Sequence, residues 1–519
     1  MKKNKEEQVI LVKGKYVFTD FTDPKGGIIF DGAVAVCQEK ILEVGDYSEL
    51  KQKYPNALEE GSEKDLVMPG IIDAHSHGQG LSYVQRGFAY DYLENCLFDW
   101  KRSVGLPDEL NARLMAYKHI RNGSTMLHVN HYVDFPQNYS FDRIKNLIKS
   151  YRDTGIRLTY STGMKDRNRL TNDDETLYDR LPKDLQEFVS PIMFVDSESI
   201  QDYYEALFRE LREIVHDDRS NIIMGPYWAH GLSDEFFERI RKLSEQYGGV
   251  PKHIHTLQTP YQKEVGLKKY GKSLLEHLDD VGMVDENLTL GHAVYLSEKD
   301  IDILARAKAS ITHHASCNLY MRNGIAPVYE LIQKGVNVAL GIDEKQLNDD
   351  EDVMQELKMI FGLHRMGSYD MENTPALTPA QVMSMGTVNA AKTLGMEDKV
   401  GALMPGKLAD LVVMDLKWIE EEPWVAPDQD ILNTVMHRVQ GRFVKDVMIH
   451  GEMVMRDYEV LTIDVKELYR EVRDYMKVHY TDGRTPEYEK YLRVKKYYQE
   501  LVKDTVHASQ EVYYKLNAR

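Results

Sequence analysis

From residue 68 onward, short apolar runs alternate with longer amphipathic segments, the runs falling near 68–74, 123–129, 156–162, 221–229, 251–257, 287–292, 309–314 and 336–342. Such runs suit strands buried on both faces, and the segments between them carry helical spacing, as in Asp108 to Arg121, Glu235 to Tyr247 and Asp349 to His364. Eight strands interleaved with helices predict an α/β fold, a parallel (β/α)8 TIM barrel over residues 68–399. The flanks read differently. Val9 to Val12, Tyr16 to Thr19, Ile28 to Val36 and Ile41 to Val44 are short strand candidates, and β texture returns in Ala409 to Met414 and Val444 to Met455. Residues 1–67 plus 400–460 are therefore expected to form one small composite β-sandwich domain. The stretch 465–519 predicts a helical C-terminal extension, rich in tyrosine (Tyr488, Tyr491, Tyr498). Its narrow apolar faces suit packing on the barrel or on a second subunit, so a homo-oligomer is the expected assembly. One mixed-charge insertion, roughly Lys165 to Ser199, follows the third strand and reads either as a lid or as a solvated excursion.

Composition narrows the partners. A net charge of −18 argues against nucleic acid or an anionic membrane surface, both of which need clustered Lys and Arg, and leaves a small molecule as the expected ligand. No stretch reaches the length of a membrane span or reads as a signal peptide. Cys37, Cys96 and Cys317 are too few and too widely spaced for a disulfide framework or a thiolate zinc cluster, so a cytoplasmic location is expected. The absence of Gly-x-Gly-x-x-Gly speaks against a dinucleotide-dependent oxidoreductase.

Candidate chemistry gathers at the strand ends. The first run closes in Asp73-Ala74-His75-Ser76-His77, and on a strand the two histidines project to one side. Alone, that pair fits half of a metal site or an ordinary loop pair equally well. In a parallel barrel, however, all strand ends meet at one mouth, and His255, His292 and Asp343 each close a predicted strand. Three imidazoles and one carboxylate suit one divalent metal ion, zinc or alternatively Fe(II), with a position left for water. Water on such an ion ionises near neutrality, so metal-bound hydroxide is the expected nucleophile. Asp343 could also accept the water proton, and His292 could bond to the hydroxide or to the developing oxyanion. His253 shares a strand and a face with His255 but lies deeper, as a pocket or core residue.

The run Met68-Pro69-Gly70-Ile71-Ile72-Asp73-Ala74-His75-Ser76-His77 resembles the first-strand signature of the amidohydrolase superfamily, in the branch of triazine hydrolases and cytosine, guanine and adenosine-type deaminases. Cys317-Asn318, Gly324-Ile325-Ala326-Pro327, Asn348-Asp349-Asp350 and Val400-Gly401-Ala402-Leu403-Met404-Pro405-Gly406-Lys407-Leu408-Ala409-Asp410-Leu411 resemble the same branch, so the likeness spans roughly residues 8–460. The resemblance implies that His75, His77, His255 and Asp343 are the metal ligands and that His292 stands beside the hydrolytic water. Binuclear members use a carbamylated lysine from the fourth strand; Asn221 to Ala229 holds no lysine, which favours a single ion.

One departure bears on the reaction. Deaminases of this branch usually carry Glu three residues after the fifth-strand histidine, and here that residue is Gln258. An amide orients a substrate but cannot exchange a proton near neutral pH. Glu344 either replaces the missing acid or is a solvated loop carboxylate. The leading expectation is hydrolytic deamination of a small aminated nitrogen heterocycle. Its alternative is displacement of a halide-type group that departs without a proton, and a non-catalytic barrel scaffold is a third reading, at odds with an intact ligand set. Weaker candidates for the pocket wall are His128, His131, Tyr227, Trp228, His230, His313 and His314, with Tyr83, Gln85 and Arg86.

Overall fold

The computed structural model describes residues 8–102, 104–133, 140–343, 347–365, 376–480 and 485–506. Two eight-stranded sheets organise it. The first begins with β1 (Val9–Val17), β2 (Ile29–Cys37), β3 (Lys40–Asp46) and β4 (Leu58–Pro69). The second is a parallel barrel of β5 (Ile71–Ser76), β6 (Ser124–Tyr132), β7 (Arg157–Gly163), β8 (Ser220–Met224), β9 (Lys252–Thr256), β10 (Leu288–His292), β11 (Ser310–His313) and β12 (Asn337–Leu340). The chain then returns to the first sheet with β13 (Leu411–Asp415), β14 (Val444–Ile449), β15 (Glu452–Arg456) and β16 (Glu459–Val460). Its strand order is β16-β15-β14-β13-β4-β1-β2-β3, so β4 and β13 join the two ends of the chain.

Barrel strands neighbour one another in sequence order, and the ring closes where Ser76 bridges Asp343 and the Asp343 amide donates to the His75 carbonyl at 2.8 Å. The fold is the TIM barrel expected from the alternation of apolar runs and helices, accompanied by a separate β-sheet unit and C-terminal helices. Local departures have simple causes. The two short strands expected before residue 20 are one, β1, which absorbs an irregularity between Gly14 and Tyr16. β8 stops at Met224 because Gly225 and Pro226 follow it, and at Gly225 a Cβ would come within 2.4 Å of the Asn130 amide nitrogen. The helix after Asp343 starts at Val353, where the Asp352 carboxylate accepts from the Met354 and Gln355 amides.

The insertion is not a solvated excursion. It folds into helices Asp174–Arg180 and Lys183–Met193, whose Leu177, Leu185, Val189 and Met193 share a core with Leu93, Phe98, Trp228, Tyr261 and the last helix, Pro486–Thr505. That last helix contributes Tyr488, Tyr491, Val494 and Tyr498, and the Tyr498 hydroxyl accepts from the Asn172 side chain at 2.9 Å.

Candidate metal centre

The loop-side ends of β5, β9, β10 and β12 bring five predicted residues together. His77 Nε2 lies 3.1 Å and His75 Nε2 3.5 Å from Asp343 Oδ1, and His255 Nε2 lies 3.3 Å from His77 Nε2. Ligands held tetrahedrally at about 2.0–2.1 Å from one zinc ion have donor atoms about 3.3 Å apart, and the His77–Asp343, His75–Asp343 and His255–His77 contacts fall near that spacing. His292 Nε2 completes the group at 3.6 Å from Asp343 Oδ2.

Hydrogen bonds fix which nitrogen each ring turns inward. His77 Nδ1 donates to the Asn130 carbonyl at 2.9 Å and His255 Nδ1 to the Tyr227 carbonyl at 2.7 Å, leaving both Nε2 lone pairs facing the centre. His75 is fully buried, and neither of its ring nitrogens has a hydrogen-bond partner. Inside a barrel, an orphaned imidazole is what a bound cation would satisfy. Burial pushes His75 and His255 well below the usual histidine range, so both stay neutral, the form that ligates. Burial would raise Asp343, but contacts with His314, His75 and His77 outweigh it and hold the carboxylate ionised.

The backbone supports this geometry at some cost. His292 and Asp343 sit at φ 68° and 67°, a left-handed conformation that non-glycine residues rarely adopt and that gathers at functional sites. Gly341 is required beside them, because a Cβ there would come within 2.8 Å of His75 and 2.7 Å of His314, whose rings stack 4.4 Å apart. Buried Asp73 ties the first and last barrel strands. Its Oδ1 accepts from the His75 and Ile342 amides at 3.2 and 3.0 Å, while Oδ2 meets His119 Nε2 at 3.0 Å.

The centre opens into two connected chambers. The inner, about 30 Å³, is lined by His255, Gln258, His292 and Asp343. The outer, about 310 Å³, shares His77, Tyr83, Trp100, Tyr227 and Trp228 with it and extends to Arg86, His131, Tyr132 and the insertion. Gln258 thus stands at the reacting end, buried, its backbone N–H donating to Gln262 Oε1 at 2.8 Å. Glu344 lies outside the described residues.

The weaker candidates divide. Tyr83, Arg86, His131, Tyr227 and Trp228 line the outer chamber. His314 stacks on His75, and His253 stacks on the same ring 4.6 Å away. Four others lie elsewhere. His128 spends both nitrogens on the Ala74 carbonyl and the Ser161 hydroxyl, His230 bonds to Asn172 behind Trp228, His313 pairs with His364, and exposed Gln85 accepts from the Ser82 amide.

Residues not foreseen include Asn130 and Tyr227, which act through backbone carbonyls that no side-chain pattern announces. Cys317 and Asn318 stood in the family-like motif without a role; the Cys317 thiol contacts Asp343 and the Asn318 side-chain oxygen accepts from His292 Nδ1 at 3.0 Å.

Comparison with known proteins agrees with this geometry. The amidohydrolase family profile matches residues 66–454. The chain belongs to the amidohydrolase family. The resemblance seen in the first-strand motif is thereby borne out, and the protein is a hydrolase of carbon–nitrogen bonds other than peptide bonds. Among relatives of this amidohydrolase is the 5'-deoxyadenosine deaminase of Methanosarcina mazei, 28% identical over 470 residues, covering 89% of this chain and 96% of the relative. Its fold is shared by a zinc-bound adenosine deaminase from Xanthomonas campestris (TM-score 0.74, 23% identity, 90% and 98% of the two chains). It is shared too by the zinc complex of an atrazine chlorohydrolase from Arthrobacter aurescens (TM-score 0.73, 20% identity, 90% and 99%).

Proposed function

We propose that this amidohydrolase is a mononuclear metal-dependent deaminase of an adenosine-type aminated heterocycle, with His75, His77, His255 and Asp343 holding one divalent ion, zinc in the first instance and Fe(II) as the alternative. The observation that carries the reading is the donor set itself: three imidazoles and an ionised carboxylate, with His77 and His75 3.1 and 3.5 Å from Asp343 and His255 3.3 Å from His77, one imidazole buried without a hydrogen-bond partner, facing an aromatic chamber. When bound, such an ion makes a water acidic enough to serve as nucleophile near neutrality.

The chain's own residues do the rest. With its Nδ1 proton committed to Asn318, neutral His292 turns a lone pair toward the attacking water; burial keeps it neutral, its pKa pushed down to about 3. Asp343, 3.6 Å away, accepts the proton that the water releases. Trp100, Tyr227 and Trp228 offer flat faces on which a heterocycle stacks, and Gln258 orients a ring nitrogen by hydrogen bonding. All three cysteines are free thiols, which supports a reducing, cytoplasmic setting, and among the described residues no helix is long and apolar enough to cross a membrane. A homo-oligomer stays part of the reading and is tested by light scattering.

A second reading rests on Gln258, which lines the inner chamber where a proton-carrying acid was expected. It is hydrolytic displacement of a group that leaves as an anion. The test is a panel assay of zinc-loaded protein. Release of ammonia from adenosine or 5'-deoxyadenosine, lost in His255→Ala, supports deamination. Release of chloride from a chlorinated triazine with no ammonia from any aminated ring overturns it in favour of the second reading.

A further inference from the structure

A polar relay runs from the last helix to the walls of both chambers. Its hub is Asn172 of the insertion, fully buried. The Asn172 side-chain nitrogen donates to the Tyr498 hydroxyl at 2.9 Å and to Glu94 Oε1 at 3.3 Å, and its backbone N–H donates to the same hydroxyl at 3.3 Å. Its side-chain oxygen accepts from His230 Nε2 at 2.9 Å. Both amide hydrogens and the amide oxygen are engaged, which fixes which way round the amide lies.

Two arms leave this hub. Glu94, buried in helix Leu93–Asp99, accepts from Thr259 Oγ1 at 2.7 Å, and Thr259 follows Gln258, which lines the inner chamber. Thr259 is the N-cap residue of helix Pro260–Tyr270, yet its hydroxyl makes no capping bond and turns to Glu94 instead. A threonine at an N-cap ordinarily accepts from the first turn, so a stabilising contact is forgone here in favour of the relay. The loop is constrained from its other side as well. Buried Leu257 sits at φ 54°, its carbonyl held by the Val294 and Tyr295 amides at 3.1 and 3.0 Å. A left-handed leucine persists only where its surroundings over-determine it. The second arm is His230, whose ring stacks on Trp228 at 5.0 Å, and Trp228 borders both chambers.

Tyr498 is fully buried, its ring packed against Phe98 at 5.7 Å and Tyr261 at 5.9 Å. Docking the helix needs that ring; the hydroxyl serves Asn172. Without the hydroxyl, two buried donors of Asn172 lose their acceptor, and because an unpaired buried donor is costly the amide would turn toward other partners and release Glu94, His230 or both.

We propose that Tyr498 is a positioning residue for the reaction: its hydroxyl orients Asn172, which sets Gln258 through Glu94 and Thr259 and sets Trp228 through His230. The inference rests on the deaminase reading for the reaction and adds a residue that touches no substrate. Tyr498 stands 326 positions from Asn172, in a helix beyond the family match, which ends at residue 454.

The test uses the zinc-loaded full chain, adenosine and 5'-deoxyadenosine as probes, and ammonia release as the readout. Tyr498→Phe keeps the ring and removes the hydroxyl. It is expected to lower kcat/KM by about tenfold at unchanged zinc content, the fold-change that loss of one buried hydrogen bond gives. Thr259→Val, at the far end of the Glu94 arm, is expected to do the same, and the double variant to lose about tenfold, not the roughly hundredfold of two independent changes. Tyr488→Phe removes a hydroxyl of the same helix that faces Asp99, off the relay, and should leave kcat/KM unchanged. An unchanged rate in Tyr498→Phe, an equal loss in Tyr488→Phe, or losses that multiply in the double variant overturns the relay and leaves the deaminase reading standing. If the wild-type chain deaminates neither probe, the adenosine-type reading fails, and fluorine NMR of protein carrying 5-fluorotryptophan decides the relay, the Trp228 line being assigned by its loss in Trp228→Phe. A Trp228 line that moves by more than its width in Tyr498→Phe and not in Tyr488→Phe supports the relay. A line that stays in place, or moves equally in both, overturns it.

Discussion

The Cys317 thiol approaches Asp343 Oδ2 to 2.8 Å, on the carboxylate oxygen opposite the one that faces His75 and His77. It fixes the carboxylate's rotation, so that one oxygen meets the imidazole pair and the other meets His292. Removing such a supporting contact typically costs 10–100-fold. Cys317→Ala is expected to lower kcat by about tenfold while zinc content, measured by plasma emission, stays near one per chain. Cys317→Ser, which keeps a donor, should recover most of the loss; an alanine variant with unchanged kcat contradicts the positioning role.

Metal removal should be read as a loss of stability as well as of activity. The imidazoles of His75, His77 and His255 are packed against one another, and a ligand that binds only the folded state adds about 4 kcal/mol at a thousandfold excess over its Kd. Chelator-treated protein is expected to melt several degrees lower and to regain its Tm with zinc. His255→Ala should show no such gain.

Gln258→Glu addresses the leaving group. A carboxylic acid at this position could donate to a ring nitrogen and carry a proton to departing ammonia. If deamination is limited by the missing acid, kcat on aminated rings should rise about tenfold or more, measured by ammonia release. An unchanged rate shows that the reaction does not need that proton.

Glu356, which is not among the proposed ligands, provides a pH signature of its own. Burial raises its carboxyl to about 7, although the Ser316 amide donates to it at 2.9 Å. Below its ordinary value of 4.5 the group is protonated both folded and unfolded and contributes no slope. Between 4.5 and about 7 only the folded chain keeps the proton, so stability falls as pH rises, by at most about 3 kcal/mol. Glu356→Gln is expected to flatten that slope in urea unfolding at pH 5 and pH 7.5, and to stabilise the protein at the higher pH.

At the opposite end of the barrel, Arg157 and Asp410 form a buried two-point pair, Nε to Oδ2 at 2.7 Å and Nη2 to Oδ1 at 2.8 Å. The pair joins β7 to the residue before β13. Arg157→Met leaves a carboxylate buried beside an apolar chain and should cost about 3–5 kcal/mol. The double replacement Arg157→Met with Asp410→Leu should cost less than the single one, as read by denaturant midpoints.

How much of this was legible in the sequence depends on the reach of each interaction. The barrel strands were readable because strands buried on both faces appear as unbroken apolar runs, and a ligand closing such a run has one place to go, the mouth. Consecutive histidines were harder. His314 points to the centre and His313 to His364 because neighbours on a strand alternate, but the sequence alone does not say which of the two faces inward. His230 failed as a wall residue because the turn after Pro226 puts Trp228 in the cavity and His230 behind it. Of the cations in the outer wall, Arg86 was legible from its place after the first strand, whereas Lys165 and Arg169 sit in a segment whose polar composition reads as loop, and only tertiary packing turns them inward. Arg157 and Asp410 meet across 253 positions, a distance at which no local pattern operates.

The last helix has a consequence for the order in which the protein becomes competent. Every proposed metal ligand has been synthesised by Asp343, yet the insertion that walls the outer chamber shares its core with Tyr488, Tyr491, Val494 and Tyr498. On the ribosome, the metal centre can therefore assemble well before the chamber that selects what reaches it. A nascent or prematurely terminated chain would carry the catalytic end of the site without its discriminating wall.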